Sequence, residues 1–317
     1  MNKPPKVLQN GPLMPALEAR LAAAFELHKL ADQAAPAAFL ATHGAGFTGL
    51  ATSSGAGADA ALIGALPSLQ VISSFGVGLD QVDLAAAAQR GIAVGHTPDV
   101  LNDCVADLAF TLVLDVARGA SAADRFVRRG DWLKGRFPLG RRVSGARLGI
   151  VGLGRIGRTI ARRASGFEMD VRYHGRRPVA DAPWTFEPSL AGLARWCDYL
   201  VVITAGGAGT RHLIDGPVLE ALGPEGFLIN VSRGSVIDEA ALVRALVDGR
   251  IAGAGLDVFE HEPHVPPALM ALDNVVLLPH IASGTRETRQ AMADLCFDNL
   301  QSFFTTGRVL APAPSAG

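Results

Sequence analysis

The stretch LGIVGLGRIGRTIARRASGF, residues 148–167, decides the fold. An apolar run ending in glycine leads into a turn, and the turn leads into a segment of helical composition, so the order is strand, glycine turn, helix. The spacing of Gly152, Gly154 and Gly157 gives each glycine a task. Gly152 permits the tight turn, Gly154 lets the backbone approach a pyrophosphate, and Gly157 lets helix and strand pack closely. The amides that open the helix then face the phosphates, and the whole turn, Gly152, Leu153, Gly154, Arg155, Ile156 and Gly157, is expected to cradle a dinucleotide. Alone such a triplet is weak evidence, because glycine-rich turns also occur in proteins that bind nothing.

The surrounding sequence strengthens it. MDVRYHGR, YLVVIT, GFLINVS, IAGAGLDVF and NVVLLPH are short apolar runs separated by helical segments such as SLAGLARWC and DEAALVRALVDGR, the second opened by Asp238 as N-cap. This alternation predicts an α/β fold with a doubly wound parallel sheet, covered on both faces. Ligands of such sheets bind beyond the carboxyl ends of the strands, where Arg233, Asp257, Glu262 and His280 lie. Upstream, FTGLATS (47–53), LQVISSFG (69–76) and GIAVGHTP (91–98) need a separate sheet. Leu101 to about Arg129 reads as a helical stretch crossing between domains, KGRFPLGRRVSG (134–145) as a linker, and the segment after Gly284 as a helix returning to the first domain. The expected organisation is a discontinuous substrate-binding domain, residues 1–99 and 284–317, around a dinucleotide-binding domain, residues 100–283. The tail APAPSAG reads as disordered.

With 317 residues the chain has room for two cores. A formal net charge of −1 argues against a nucleic-acid partner. The 49% hydrophobic content is high, yet no run approaches the roughly 20 apolar residues of a membrane span. Buried parallel strands and an oligomer interface would absorb the excess. The start, MNKPPKVLQNGPL, lacks a signal-peptide core, so the expected location is cytoplasmic. Cys104, Cys197 and Cys296 are widely spaced and form no CxxC pair, which supports neither a disulfide framework nor a metal site.

The segments SSFGVGLDQVDL, HTPDVLNDCVADLA, VGLGRIG, INVSRGSVIDEAAL, GAGLDVFEHEP and LLPHIASGT occur in one order. Through them the chain resembles the D-isomer-specific 2-hydroxyacid dehydrogenases, and within these the glyoxylate/hydroxypyruvate and hydroxyphenylpyruvate reductase branch. The resemblance implies two Rossmann-like domains with the active site in the cleft between them, a homodimer, a small 2-oxo acid substrate, and reduction to a D-2-hydroxy acid by hydride transfer from a nicotinamide.

Such a reduction needs a group to hold the carboxylate and a proton donor for the carbonyl oxygen. Arg233 matches the family's substrate arginine, whose planar guanidinium holds a carboxylate and polarises the adjacent carbonyl. His280 matches the acid/base histidine, imidazole being the side chain that exchanges protons near cellular pH. Glu262 matches the acidic partner that orients the imidazole and favours its charged form; Glu260 is its rival, and the family spacing Asp-Val-Phe-x-x-Glu-Pro selects Glu262. Asp257 resembles the position that contacts the nicotinamide carboxamide, or else it caps the loop that follows. The resemblance also sets Val231 and Ser232, with Arg233, against the cofactor. Backbone amides of Val77 and Gly78, in Phe75-Gly76-Val77-Gly78, are expected to hold the substrate carboxylate, the alternative being a plain strand-exit turn. Asp80 and Asp83 read as local caps. Side-chain selectivity is expected from residues near Leu50, Thr52 and Ser53, with Trp132 or Phe137 from either subunit.

Cofactor choice turns on Tyr173-His174-Gly175-Arg176-Arg177-Pro178, at the end of the second dinucleotide strand. NAD-selective members place an acid there for the ribose diol; here His174, Arg176 and Arg177 stand instead, and arginines pair with a 2′-phosphate that an acid would repel. NADPH is expected to be preferred, with NADH possible; the bland alternative is a solvated loop charge. A second function class, a dinucleotide-sensing, corepressor-like binding protein on the same fold, is separated from a reductase by whether NADPH is oxidised when a 2-oxo acid is added.

Overall fold

The computed structural model describes residues 3–314. It divides into two compact units, the described part of Met1–Leu101 with Thr285–Gly317, and Asn102–Gly284. Both units have the α/β, doubly wound character expected from the alternation of runs.

The first unit carries the parallel strands β1 (Lys6–Asn10), β2 (Glu26–Lys29), β3 (Gly49–Ser53), β4 (Val71–Phe75) and β5 (Ala93–Gly95), in the order β2-β1-β3-β4-β5. The last three fall in the expected runs. β1 does not, although it lies inside the sheet: only Val7 and Leu8 in KVLQN are strongly apolar. Gln9 is buried there with its amide nitrogen donating to the Gly11 carbonyl at 3.0 Å and to Glu18 Oε1 at 2.6 Å, which offsets part of the cost of taking it from water, while its Oε1 has no partner among the described residues. One sheet face packs on the helix Arg286–Thr306 through buried Met292, Cys296 and Phe297, with Ser73 Oγ donating to the Cys296 carbonyl at 2.8 Å. Leu8, Leu50 and Ile72 pack with Phe47, Ile63 and Leu66 in a separate apolar cluster.

The tail corrects an expectation. Ala311 to Pro314 are ordered against β5: the His96 amide donates to the Ala311 carbonyl at 3.0 Å and the Ala313 amide to the Val94 carbonyl at 2.8 Å. Asn299, fully buried, accepts the Ala311 amide at 2.9 Å and donates to the His96 carbonyl at 3.1 Å. The exposed edge of β5 supplies backbone partners that composition does not reveal. Residues 315–317, also in the expected disordered tail, lie outside the described residues.

The second unit carries β6 (Arg147–Val151), β7 (Asp170–His174), β8 (Thr185–Phe186), β9 (Tyr199–Val202), β10 (Phe227–Asn230), β11 (Gly253–Leu256) and β12 (Val275–Leu277). They are all parallel, in the order β12-β11-β10-β9-β6-β7-β8, so the direction of winding reverses between β6 and β9. A crevice for a ligand belongs at the carboxyl side of such a reversal, and the glycine turn follows β6 there. β11 reads GAGL because the helix Asn102–Arg118 lies close upon it: a Cβ at Gly255 would sit 2.9 Å from Leu112 Cβ, and one at Gly253 3.1 Å from Val116 Cγ2. The helical stretch expected to run to about Arg129 is two helices, Asn102–Arg118 and Ala120–Arg128, broken at Gly119, whose φ of +62° ends the first. Among the described residues, no helix is long and apolar enough to cross a membrane.

Candidate active site

The glycine turn has the geometry its spacing predicts. Gly152 adopts φ +102°, and a Cβ there would lie 2.9 Å from the Thr204 amide nitrogen. At Gly157 a Cβ would be 2.1 Å from the Gly152 carbonyl oxygen, so only glycine lets the helix Arg155–Ala164 start this close to the turn. Gly154 differs from both: it is exposed, and nothing lies within 4 Å of where its Cβ would be, which leaves room for a ligand against the backbone. Leu153 is buried, Arg155 is exposed and Ile156 half-buried, so Leu153 offers the site backbone alone.

At the end of β7, His174 Nδ1 lies 3.0 Å from the Glu187 carbonyl, which leaves Nε2 as its outward atom. Arg176 and Arg177 are exposed, and among the described residues neither side chain makes an ion pair or hydrogen bond. Their loop is fixed from behind, by the Val179 amide donating to the Tyr173 hydroxyl at 2.9 Å and Arg158 Nη2 to the Ala180 carbonyl at 3.0 Å.

Three further strand ends bring Arg233, Glu262 and His280 into one electrostatic neighbourhood. β10 ends in Asn230, fully buried, whose Oδ1 accepts the Ser232 amide at 3.0 Å and Ser232 Oγ at 2.7 Å while its Nδ2 donates to the Arg233 carbonyl at 3.0 Å. This knot turns the chain so that Arg233 emerges half-buried, with Nη1 donating to the Ser232 carbonyl at 2.8 Å. Asn230 was not among the expected site residues; its only sequence signal is a polar residue closing the apolar run FLI. Gly234 follows, and a Cβ there would be 1.9 Å from the Phe259 carbonyl carbon, so the Arg233 loop presses directly on the loop that carries Glu262.

Glu262 bridges its own loop and the next. Oε1 accepts the Phe259 amide at 3.1 Å, and Oε2 accepts His280 Nδ1–H at 2.8 Å. Burial pushes the Glu262 carboxyl up, but the hydrogen bond and charge of His280, the Phe259 amide and the Arg233 charge together hold it below the ordinary glutamate range. An ionised carboxylate has no proton to donate, so Nδ1 carries the hydrogen and Nε2 is left to gain and release a proton. His280 itself sits at φ +54°, a conformation disfavoured for a side-chain-bearing residue. Asp257 holds it there: the His280 amide donates to the Asp257 carbonyl at 2.9 Å, and the carboxylate accepts the Ile281 and Ala282 amides at 2.7 and 2.8 Å.

In the first unit, Gly76 adopts φ +150° where a Cβ would meet Ser54 Cβ at 2.6 Å, and its amide is taken by Thr97 Oγ1 at 3.1 Å. Val77 and Gly78 are half-buried, and among the described residues their amides carry no hydrogen bond. Asp83 caps the next helix by accepting the Ala86 amide at 2.8 Å, the local role expected of it.

Residues 110–282 match the family model described as the NAD binding domain of D-isomer specific 2-hydroxyacid dehydrogenases. The chain is 47% identical to the hydroxyphenylpyruvate reductase of Plectranthus scutellarioides over 96% of this chain and 98% of that protein. It belongs to the D-isomer specific 2-hydroxyacid dehydrogenase family. Among solved structures, it is similar to a 2-hydroxyacid dehydrogenase from Ketogulonicigenium vulgare Y25, at TM-score 0.92 and 47% identity over the whole of both chains. It is also similar to an NADPH-dependent glyoxylate/hydroxypyruvate reductase from Sinorhizobium meliloti in complex with NADP and malonate, at TM-score 0.91 and 44% identity, covering 99% of this chain and 98% of that one.

The chain is thus an NAD(P)-dependent oxidoreductase of this family. Asp257 is fully buried with both oxygens accepting backbone amides, so it fixes the His280 loop. Burial raises its pKa while the two amides and the His280 charge pull it back. Leu50 and Thr52, near which substrate-selecting residues are expected, are themselves fully buried, and Thr52 Oγ1 donates to the Gly57 carbonyl at 2.8 Å. Ser53 is half-buried, Trp132 is exposed, and Phe137 is half-buried with its ring edge-on to Phe126 at 5.5 Å.

Proposed function

We propose that this chain is an NADPH-preferring reductase that converts 2-oxo acids, glyoxylate, hydroxypyruvate or close relatives, into D-2-hydroxy acids. The observation that carries the reading is the 2.8 Å pairing of His280 with an ionised Glu262, under the electrostatic influence of Arg233, on strand-end loops of the dinucleotide-binding sheet. Arg233 holds the substrate carboxylate and polarises its carbonyl. His280 gives the proton from Nε2 to the carbonyl oxygen, while Glu262 fixes the ring and offsets its charge.

The residues present fit a phosphorylated dinucleotide. The open backbone at Gly154 and the amides opening the helix Arg155–Ala164 suit the pyrophosphate, Val231 and Ser232 line the same side of the sheet, and His174, Arg176 and Arg177 suit the 2′-phosphate, with NADH accepted less well. When bound, the reduced nicotinamide supplies the hydride. The Sinorhizobium relative, described as NADPH-dependent and holding NADP, supports the cofactor reading, and the reductase names of the relatives weigh against the dinucleotide-sensing alternative.

A homodimer is part of the same proposal. Trp132, Leu133 and Leu139 are 70%, 95% and 101% exposed, an apolar group that water disfavours and a second copy would cover. We place the protein in the cytoplasm, in keeping with the free thiols of Cys197 and Cys296. The test is NADPH oxidation, followed by absorbance, with glyoxylate, hydroxypyruvate and hydroxyphenylpyruvate in turn and NADH in parallel. At least one acid should be turned over, with higher kcat/KM for NADPH; no oxidation with any of them would refute the reading.

A further inference from the structure

We infer that Glu260, gripped by Arg211 and His212, is a positioning residue that sets Glu262 against His280; this rests on the reading of Glu262 and His280 as the acid pair. Glu260 Oε1 accepts from Arg211 Nη2 at 2.8 Å and from His212 Nε2 at 2.9 Å. The carboxylate is 13% exposed although Arg211 is 58% exposed, so its two donors cover it. The His212 hydrogen bond holds its pKa below the ordinary range, and the charges of His212, Arg211 and His261 add to this against a burial penalty. His212 adopts φ +50°, a strained conformation that a purely solvated residue has no reason to keep.

The grip joins the loops that carry the chemistry. The His212 amide donates to the Ser235 carbonyl at 2.9 Å, the Ile214 amide to the Val236 carbonyl at 3.0 Å, and the Asp238 amide to the Ile214 carbonyl at 3.0 Å, stitching the loop after β9 to the segment just beyond Arg233. The Glu260 amide donates to Glu239 Oε2 at 3.2 Å, at the start of the helix Glu239–Val247. Gly234 presses on Phe259 and Glu260 from the Arg233 side. The segment Asp257–Pro263 is therefore clamped at Glu260, two residues before Glu262.

The clamp has a second consequence. Glu260 and Glu262 are both acidic, and either could pair with an imidazole nearby. With Oε1 of Glu260 engaged by two donors, Glu262 alone meets His280, and the rivalry that the sequence leaves open is settled by which carboxylate is already occupied.

The experiment compares the full-length wild type with Glu260→Ala, Glu260→Gln, Arg211→Met, Glu262→Gln and the double variant Glu260→Ala/Glu262→Gln. It reads kcat, the KM for NADPH, melting temperature and the pH profile of kcat/KM for the 2-oxo acid. Glu260→Ala should lower kcat about tenfold, with the KM for NADPH within about twofold, and move the alkaline limb in the same direction as Glu262→Gln. Glu260→Gln keeps an acceptor oxygen and should restore most of the loss. Arg211→Met, which removes one exposed donor, should give a smaller change of the same kind and keeps the test valid if Glu260→Ala fails to fold. The double variant should be no worse than Glu262→Gln. A lower melting temperature with wild-type kcat and pH profile, or additive losses in the double variant, would overturn the inference. An unmoved limb in Glu262→Gln itself would instead sink the acid pair, and the clamp with it.

Discussion

Two residues here do the same chemical thing, accept backbone or imidazole hydrogens with a carboxylate, yet their surroundings push them in opposite directions. Glu262 is held below its ordinary range by His280, Phe259 and Arg233, whereas burial lifts Asp257. The sign for Glu262 follows: the ordered pair is present above the ordinary glutamate value and is lost as pH falls through the depressed one. Reduction should therefore keep its acid limb below the ordinary glutamate value, and a kcat/KM profile whose acid limb lies above that value would contradict the assignment. Arg233→Lys keeps the charge but loses the planar fork, so kcat/KM for 2-oxo acids should fall steeply while NADPH affinity, measured by fluorescence titration, stays nearly unchanged. Near-wild-type turnover would put the carboxylate elsewhere.

At the scale of elements, the loops rather than the strands hold the site. Strand-end residues such as Arg233 and His280 were legible because apolar runs end just before them. Asp257 was legible as a strand-end residue, though not the two amides it accepts, and Asn230 was not legible at all, since a buried amide knot leaves no periodic trace. β1 was missed for the related reason that Gln9 is held by an amide hydrogen bond to Glu18 in the helix Pro15–Ala24 that follows it, which no alternation of apolar residues records. The glycine turn was legible down to individual roles because steric necessity leaves only glycine at Gly152 and Gly157. Asp257→Asn replaces one acceptor oxygen with a donor and leaves the Ile281 or Ala282 amide without a partner, at a cost of about 1–3 kcal/mol. Thermal unfolding should show the loss, and kcat should fall with it as His280 leaves its φ of +54°. An unchanged melting temperature would mean the loop holds its shape without that carboxylate. On the β7 loop, replacing Arg176 and Arg177 by alanine should weaken NADPH selectively, by up to about 1.5–3 kcal/mol per contact before a discount for their exposure. Equal weakening of NADPH and NADH would show that the arginines are only solvated charge.

For the whole molecule, the family membership and the parallel sheet reversing between β6 and β9 say where a dinucleotide belongs, while the exposed Trp132, Leu133 and Leu139 are what the proposed homodimer rests on. Replacing Trp132 and Leu139 by serine should shift the protein from dimer to monomer in analytical ultracentrifugation; an unaltered sedimentation coefficient would exclude this face. The central claim is narrower, that His280 is the proton donor in carbonyl reduction. Its most direct test is kcat for NADPH-dependent hydroxypyruvate reduction by His280→Ala beside the wild type, with NADPH binding measured on both. The account predicts a kcat lower by about 10²–10⁴-fold with NADPH binding essentially unchanged; ordinary turnover by the variant would contradict it.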